Sequence, residues 1–155
     1  MIPEYEAWIG KTEVFKEQLS EVNTKRLYHT LNITDSPPSS GKSVFPMALL
    51  ILGESSVSPE EIGEDGHPKR GGFFPPIKLQ RRMFAGERIV FHSPLKIGLP
   101  ATRTGTIVNL EEKVGSKGPM ILLSAHYQIK QDEVLCIEDT HNIVYLDYND
   151  STPAP

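Results

Sequence analysis

The residues best suited to chemistry lie in a segment that is rich in cations, glycine and proline. It begins at His67 and leads into a strand-like run at Arg88. The residues of interest are Arg70, Gly71, Gly72, Arg81 and Arg82, with Lys69 beside them. Arginine forks suit phosphate groups, and paired glycines permit close backbone approach or a positive φ. A segment of this composition is costly as a mere connector, so a binding role is expected.

Acidic residues precede this basic segment and offer an alternative interpretation of it. The acids are Glu60, Glu61, Glu64 and Asp65. The arginines could pair with these acids, and the glycines could form an ordinary turn. Within the same segment Asp65 and His67 are weak candidates for catalytic groups. Residues 54–86 are expected to be irregular, and irregular stretches of this length tend to be functional or disordered.

The histidines and the single cysteine do not predict a metal centre. The histidines are His29, His67, His92, His126 and His141. They are scattered, and no pair of them shows metal-ligand spacing. His92 and His126 alternate with apolar neighbours, which favours positions on a sheet face. The lone Cys136 excludes an internal disulfide and a Cys-rich metal site, and its apolar surroundings favour burial. Neither a metal nor a cofactor is expected.

Length and charge restrict the class of protein. The 155 residues suit one domain. The net charge of −4 argues against general affinity for nucleic acid or an anionic membrane. The longest apolar run, Phe45 to Leu52, is too short to span a bilayer, and no signal-peptide pattern is visible at the N-terminus. A cytoplasmic location is therefore expected.

The first half of the chain predicts two helices. Ser20 or Asn23 could cap a helix that continues through Ile33, with Leu27 and Leu31 on one face. A second helix is predicted from Phe45 to Leu52, with Pro46 in its first turn and Gly53 at its end. Because that segment is apolar all round, we expect it to be buried in the core. An extended segment is predicted to begin at residues 12–15.

The second half of the chain predicts strands. Apolar residues alternate with more polar ones at Ile89, Phe91 and Leu95, and again from Ile121 to Ile129. Turns are expected at residues 114–119 and at 131–132. The alternation slips around residues 138–139, which predicts a bulge or a polar face there. The residues themselves indicate an α+β fold.

Several segments, taken together, resemble one protein family. The opening run from Trp8 to Glu13 is similar to the family's Trp-Ile-Gly-Arg-Thr/Ser-Glu start, and residues 66–73, 75–76 and 81–83 follow its most recognisable stretch. Residues 91–98 and 141–145 fit as well. The chain resembles the N-terminal hot-dog domain of mesaconyl-CoA-type hydratases in the MaoC-like dehydratase superfamily.

This resemblance implies a fold, a substrate class and a partner. It implies an antiparallel sheet wrapped around a central helix, with residues 1–147 as one hot-dog domain and 148–155 as a tail or interdomain linker. It also implies that an acyl-CoA thioester contacts the loop through Arg70, Gly71, Gly72, Arg81 and Arg82. In such proteins a second hot-dog domain, fused or separate, carries the catalytic Asp or Asn and His. That Gly-Asp-x-Asn-Pro-x-His-like motif is absent from this sequence.

The expected function is therefore the substrate-shaping half of an enoyl-CoA hydratase or dehydratase, working as a homo- or heterodimer with another hot-dog domain. One rival is a self-sufficient homodimeric thioesterase or hydratase that uses Asp65 with His67 or His92. The other rival is an acyl-CoA-binding module without chemistry. Activity of the chain alone would favour the first rival, and binding of CoA esters without turnover, even with a partner present, would favour the second.

Overall fold

A single antiparallel sheet forms most of the structure. The computed structural model describes residues 3–52, 57–115 and 118–147. Within these ranges the strands are β1 (Thr12–Gln18), β2 (Arg81–Phe91), β3 (Pro100–Gly115), β4 (Gly118–Gln131) and β5 (Val134–Leu146). Their spatial order is β1-β3-β4-β5-β2, so β1 and β2 are the edges. The predicted α+β class is confirmed, and so is the extended segment at residues 12–15.

The first predicted helix is present but shorter than expected. Helix α1 spans Glu21–Thr30, and the Ser20 hydroxyl accepts the backbone N–H of Asn23 at 3.0 Å, so Ser20 is the cap. The prediction that the helix continues through Ile33 is wrong, because Asn32 adopts a positive φ of 53° that ends the helical path. Leu27 packs on the core, whereas Leu31 lies beyond the helix and is exposed.

The second predicted helix is a 3₁₀ helix at Pro46–Ile51, and it is not buried all round. Ala48 and Leu49 are buried, but Met47 and Leu50 are exposed. A 3₁₀ helix has three residues per turn, so positions 47 and 50 share one face and that face points to solvent. Pro46 occupies the first turn, as predicted. Gly53, the predicted end, lies outside the described residues.

The buried side chains lie on one face of the sheet, here called the inner face. Along β4 the residues Ile121, Leu123, Ala125, Tyr127 and Ile129 are buried, whereas those between them are half-exposed. The predicted alternation is therefore confirmed for β4. Two apolar clusters cover the inner face. One joins the 3₁₀ helix to Ile129 and Ile137, and the other packs around Leu123 and Tyr145. None of the described helices has the length and apolar character needed to cross a membrane.

The irregularity predicted in β5 lies slightly earlier in the strand. Pairing passes from Ile129 opposite Ile137 to Lys130 opposite Leu135, so the bulged residue is Cys136. The prediction of a bulge at 138–139 is therefore wrong, and the alternative of a polar face there holds. Cys136 is buried as expected, and its burial raises the pKa of the thiol. The turn predicted at 131–132 involves positive φ at positions 132 and 133. The turn predicted at 114–119 and the tail at 148–155 include residues outside the described ranges.

Candidate functional site

Asp65 is the centre of the charged loop. Its Oδ2 lies 2.9 Å from Nη2 of Arg82 and 3.7 Å from Nη2 of Arg70. The Arg82 side chain is only 7% exposed, and its Nε has no hydrogen-bond partner among the described residues. Arg82 projects from β2 towards Tyr145, its neighbour in register on β5. Asp65 therefore attaches the loop to the sheet edge and neutralises Arg70 and Arg82. The sequence had left open this pairing of the arginines with the preceding acids.

Arg70 holds the loop together from within. Its guanidinium donates to the backbone carbonyls of Ile77, Leu79 and Gln80, the last at 2.8 Å. Its Cζ also lies 5.1 Å from the ring centroid of Tyr145. A planar fork with several donors in fixed directions suits this role better than an ammonium group does. The arrangement gives residues 70–80 a defined path before β2 begins.

Arg81 is separated from the other two arginines. Successive residues of a strand point to opposite faces, and Arg82 points inward. Arg81 therefore lies on the outer side, half-buried opposite Leu146. Arg81 and Arg82 are adjacent in sequence but lie on different faces of β2, so they cannot bind one phosphate group together.

The two predicted glycines make a turn whose outer carbonyl is held by the N-terminal segment. Gly71 has φ of 101°, and its N–H donates to the carbonyl of Phe74 at 2.9 Å. The carbonyl of Gly72 accepts Lys11 Nζ at 2.7 Å and, more weakly, Trp8 Nε1 at 3.4 Å. The two most recognisable segments of the sequence therefore contact each other in the fold.

Asp65 and His67, the catalytic candidates, lie close together, but they have different partners. Partial burial alone would raise the pKa of Asp65, yet the His67 backbone N–H and the Arg82 guanidinium hold that pKa below its usual value. The His67 ring Nδ1 lies 2.9 Å from the Asp65 carbonyl, and the ring is exposed. Asp65 therefore serves as a counterion, and its carboxylate is a poor proton acceptor at neutral pH.

An open cleft of about 590 Å³ lies beside this ion-pair cluster. Asp65, Lys69, Arg70 and Gln80 are among the residues that line it. The cleft is thus bordered by backbone that Arg70 fixes and by the predicted basic segment. Of the residues predicted for the site, Asp65 and Arg70 line this cleft, whereas Arg81 lies on the opposite side of β2.

A second group of polar residues, which the sequence did not single out, crosses the inner face between the two apolar clusters. Tyr127 lies opposite Gly105 on one side and Asp139 on the other, and the Arg103 guanidinium carbon sits 3.9 Å from the centroid of its ring. A Cβ on Gly105 would collide with that ring, so glycine is required for Tyr127 to lie flat there. Burial raises the pKa of Glu13, which hydrogen-bonds to Tyr127.

This polar row ends at the β2 edge in three titratable groups. Asp139 is 4% exposed and hydrogen-bonds to Glu87, while His141 Nδ1 lies 3.5 Å from Glu87 Oε1. Burial first, and then the Glu87 charge, raise the pKa of Asp139 to about 7. The signal in the sequence was a polar pair, Asp139 and His141, at positions of β5 that share a face with Ile143 and Tyr145.

The Asp139→Asn variant is expected to be more stable than the parent at pH 8, by about 1–2 kcal/mol. The folded chain holds the Asp139 proton up to about pH 7, whereas the unfolded chain releases it near 3.8. The parent therefore loses stability as pH rises between these values, and asparagine does not. Urea unfolding at pH 5 and pH 8, in EDTA, measures the difference. Glu138→Gln, on the opposite face, is the control; an equal gain for Asp139→Asn at both pH values would contradict the assignment.

His126 lies on the outer face of β4, as the sequence favoured. The prediction that His92 also lies on a strand is wrong, because β2 ends at Phe91, but its ring reaches the same Glu138. Both ring Nε2 atoms contact Glu138, at 2.8 Å and 3.4 Å, and Gln128 donates to the same carboxylate. The hydrogen bonds from His92 and Gln128 hold the pKa of Glu138 below its usual value. This cluster is an exposed ion-pair network on the surface of the sheet.

Comparison with known proteins identifies the chain's relatives. Residues 49–155 match the family model described as hydroxyacyl-thioester dehydratase type 2. The chain is 40% identical over 149 residues to mesaconyl-C(4)-CoA hydratase of Chloroflexus aurantiacus. That match covers 96% of the chain but 53% of the relative, so the chain spans about half the length of the curated relative.

Two solved structures share the fold at low sequence identity. The ChsH1–ChsH2 complex from Mycobacterium tuberculosis gives a TM-score of 0.62 at 10% identity, covering 94% of this chain and 88% of that chain. The truncated HadBC (3R-hydroxyacyl-ACP dehydratase) complex from the same organism gives 0.59 at 13% identity, covering 88% and 96%. These likenesses confirm the hot-dog fold. Since the family model matches more than half of the sequence and the Chloroflexus relative matches nearly all of it, the chain belongs to the hydroxyacyl-thioester dehydratase type 2 family of hot-dog proteins.

Proposed function

We propose that this chain is the acyl-CoA-binding hot-dog half of an enoyl-CoA hydratase or dehydratase, and that a partner hot-dog domain supplies the catalytic Asp or Asn and His. The observation that carries the proposal is the match of nearly the whole chain, at 40% identity, to just over half of mesaconyl-C(4)-CoA hydratase. A relative of twice this length has room for a second domain of the same size.

The free edge of the sheet supports a partner. Strand β2 pairs only with β5 among the described strands, so its outer backbone groups are open to another chain. Met83, Phe84 and Phe91 on this strand are exposed, and Phe84 keeps 65% of its surface in solvent. Exposed apolar side chains on an unpaired edge favour association. The two structural neighbours named above are themselves complexes of two chains.

The chemistry of the loop supports a division of labour. Adding water to an enoyl thioester requires a group that takes up and returns a proton near neutral pH. Asp65 is committed to Arg70 and Arg82, and its lowered pKa makes it a weak base. Residues 63–80 instead provide a surface, fixed by Arg70, beside a cleft that Lys69 helps to line. This surface suits the binding of a phosphorylated thioester better than its hydration.

The same loop is the proposed contact for CoA. Lys69 and the backbone of the Gly71–Gly72 turn lie at its surface, and phosphate oxygens accept hydrogen bonds from both side chains and backbone. Arg81, on the outer side of β2, is a further proposed contact. Arg70 and Arg82 hold the shape of this loop through the bonds described above, and Asp65 balances their charge. The five residues predicted from the sequence thus contribute in different ways, with Arg81 on the other face of β2.

Hydration of mesaconyl-CoA and crotonyl-CoA by the purified chain tests the proposal. The chain is assayed alone, then with the part of the Chloroflexus relative that it does not match, and that part is also assayed alone. We expect the mixture to be at least about tenfold faster than either component, which corresponds to about 1.4 kcal/mol. Equal hydration by the chain alone would favour the self-sufficient enzyme. Binding of the CoA esters without turnover in any combination would favour a module without chemistry.

A further inference from the structure

The end of the polar row at the β2 edge has the composition of a cation site. Glu87 comes from β2, and Asp139 and His141 come from β5. One potential ligand atom from each of the three residues lies within 4.8 Å of the other two. Carboxylate oxygens and imidazole nitrogens are both ligands of Zn²⁺, and three protein ligands leave a coordination position open.

An independent observation points to a ligand at this place. Asp139 is 96% buried, since only 4% of its surface is exposed, and its Oδ1 has no hydrogen-bond partner among the described residues. Buried carboxylate oxygens are almost always hydrogen-bonded or bound to a cation. Glu87, a second carboxyl group, is the neighbour of Asp139, and the Arg103 guanidinium on β3 attracts Asp139 electrostatically. The cluster therefore has more acceptors than donors.

We propose that Glu87, Asp139 and His141 bind a divalent metal ion of the Zn²⁺ or Mn²⁺ type on the inner face of the sheet. Such an ion would give Asp139 Oδ1 a direct partner, since no hydrogen bond among the described residues reaches this atom. It would also link the edge strand β2 to β5. Glu87 is exposed, so solvent can reach the site. The site does not depend on the proposed hydratase function, because none of its three residues belongs to the CoA-contacting loop.

The position of Glu138 supplies a matched control. Glu138 is adjacent to Asp139 in sequence but lies on the outer face, where it contacts two histidines. Glu138, His92 and His126 therefore form a second group of potential ligands that could bind the same ion. Glu138→Gln and Asp139→Asn make the same chemical change, from carboxylate to amide, at neighbouring positions on opposite faces of one strand.

Isothermal titration of the chelator-treated chain with ZnCl₂, and separately with MnCl₂, at pH 7.5 tests the proposal. We expect one ion per chain with a Kd in the micromolar range or tighter. Asp139→Asn and Glu87→Gln should each weaken binding at least about tenfold, and His141→Gln by a similar factor. Glu138→Gln should change the Kd less than about twofold. Circular dichroism confirms that each variant is folded.

Three outcomes would overturn the proposal. The parent chain could bind neither ion below millimolar concentration, which would make the cluster a purely structural carboxyl pair. Glu138→Gln could abolish binding while Asp139→Asn does not, which would assign the ion to the outer face. Binding could persist unchanged in Asp139→Asn and Glu87→Gln together, which would place it elsewhere in the chain. None of these results depends on hydration activity, so the proposed function is tested separately.

Discussion

Replacing Asp65 by asparagine is expected to lower the free energy of unfolding by about 3 kcal/mol. The change keeps the shape of the side chain but removes the counterion of Arg82, whose side chain is 7% exposed. A guanidinium buried to this degree without a negative partner has no compensation for its lost hydration. Arg70 loses the weaker of its contacts at the same time. Urea unfolding at pH 7 measures the loss.

The acidic neighbour of Asp65 provides the control for this experiment. Glu64 is exposed in the same loop, so Glu64→Gln makes the same chemical change without removing the counterion of the buried Arg82. Its effect should stay within about 0.5 kcal/mol. Because the pKa of Asp65 is lowered by folding, its contribution is complete above about pH 4 and is lost as the pH falls further. The two variants should therefore converge in acid; an equal loss at pH 7 would refute a special role for Asp65.

The strands could be predicted from the sequence because their signal is local. In β4, five alternating apolar residues specify one buried face, and the structure places all five there. The prediction of a buried helix at 46–51 was wrong because this segment lacks such a periodic signal. Its composition is apolar on every side, so composition cannot tell an α-helix from a 3₁₀ helix. The three-residue turn leaves Met47 and Leu50 in solvent.

The polar row could not be predicted because its members come from all five strands. Glu13, Arg103, Tyr127, Asp139 and Glu87 meet only when the register between strands is known. Metal-ligand spacing is visible in a sequence when the ligands share one element, and here the proposed ligands come from two strands. The slip in alternation at 138–139 did indicate polar residues. It could not indicate Glu87, the neighbour of Asp139, because that residue lies on β2, far away in sequence.

The sequence singled out the loop in which Arg70 and Asp65 meet, but the roles of its arginines depend on contacts that composition cannot give. Arg70 bonds to carbonyls seven to ten residues later, and Arg82 faces a tyrosine from the last strand. The pleat of β2 decides that Arg81 and Arg82 point to opposite faces. Composition therefore indicates where the charges are, while register and chain path decide which of them meet a ligand.

Arg70→Lys is expected to destabilise the chain by about 3 kcal/mol, even though the charge is retained. Lysine carries a single ammonium on a flexible stem and cannot reproduce a planar fork directed at three carbonyls. The carbonyls of Ile77 and Leu79 would lose a charged donor in a partly buried setting. Urea unfolding without ligand measures the effect, and Arg81→Lys is the matched control, with an expected loss below about 1 kcal/mol.

The comparison of these two arginine variants separates the two roles that the sequence left open. If Arg70 holds the loop and Arg81 touches the ligand, Arg70→Lys lowers the urea midpoint of the free chain, whereas Arg81→Lys leaves it nearly unchanged and weakens binding of a CoA ester by about tenfold. A parent-like midpoint for Arg70→Lys, together with weakened CoA binding, would instead make Arg70 a direct ligand contact. The bonds from Arg70 to Ile77, Leu79 and Gln80 favour the first result, because a guanidinium with three carbonyl partners and an aspartate has few donors left for phosphate.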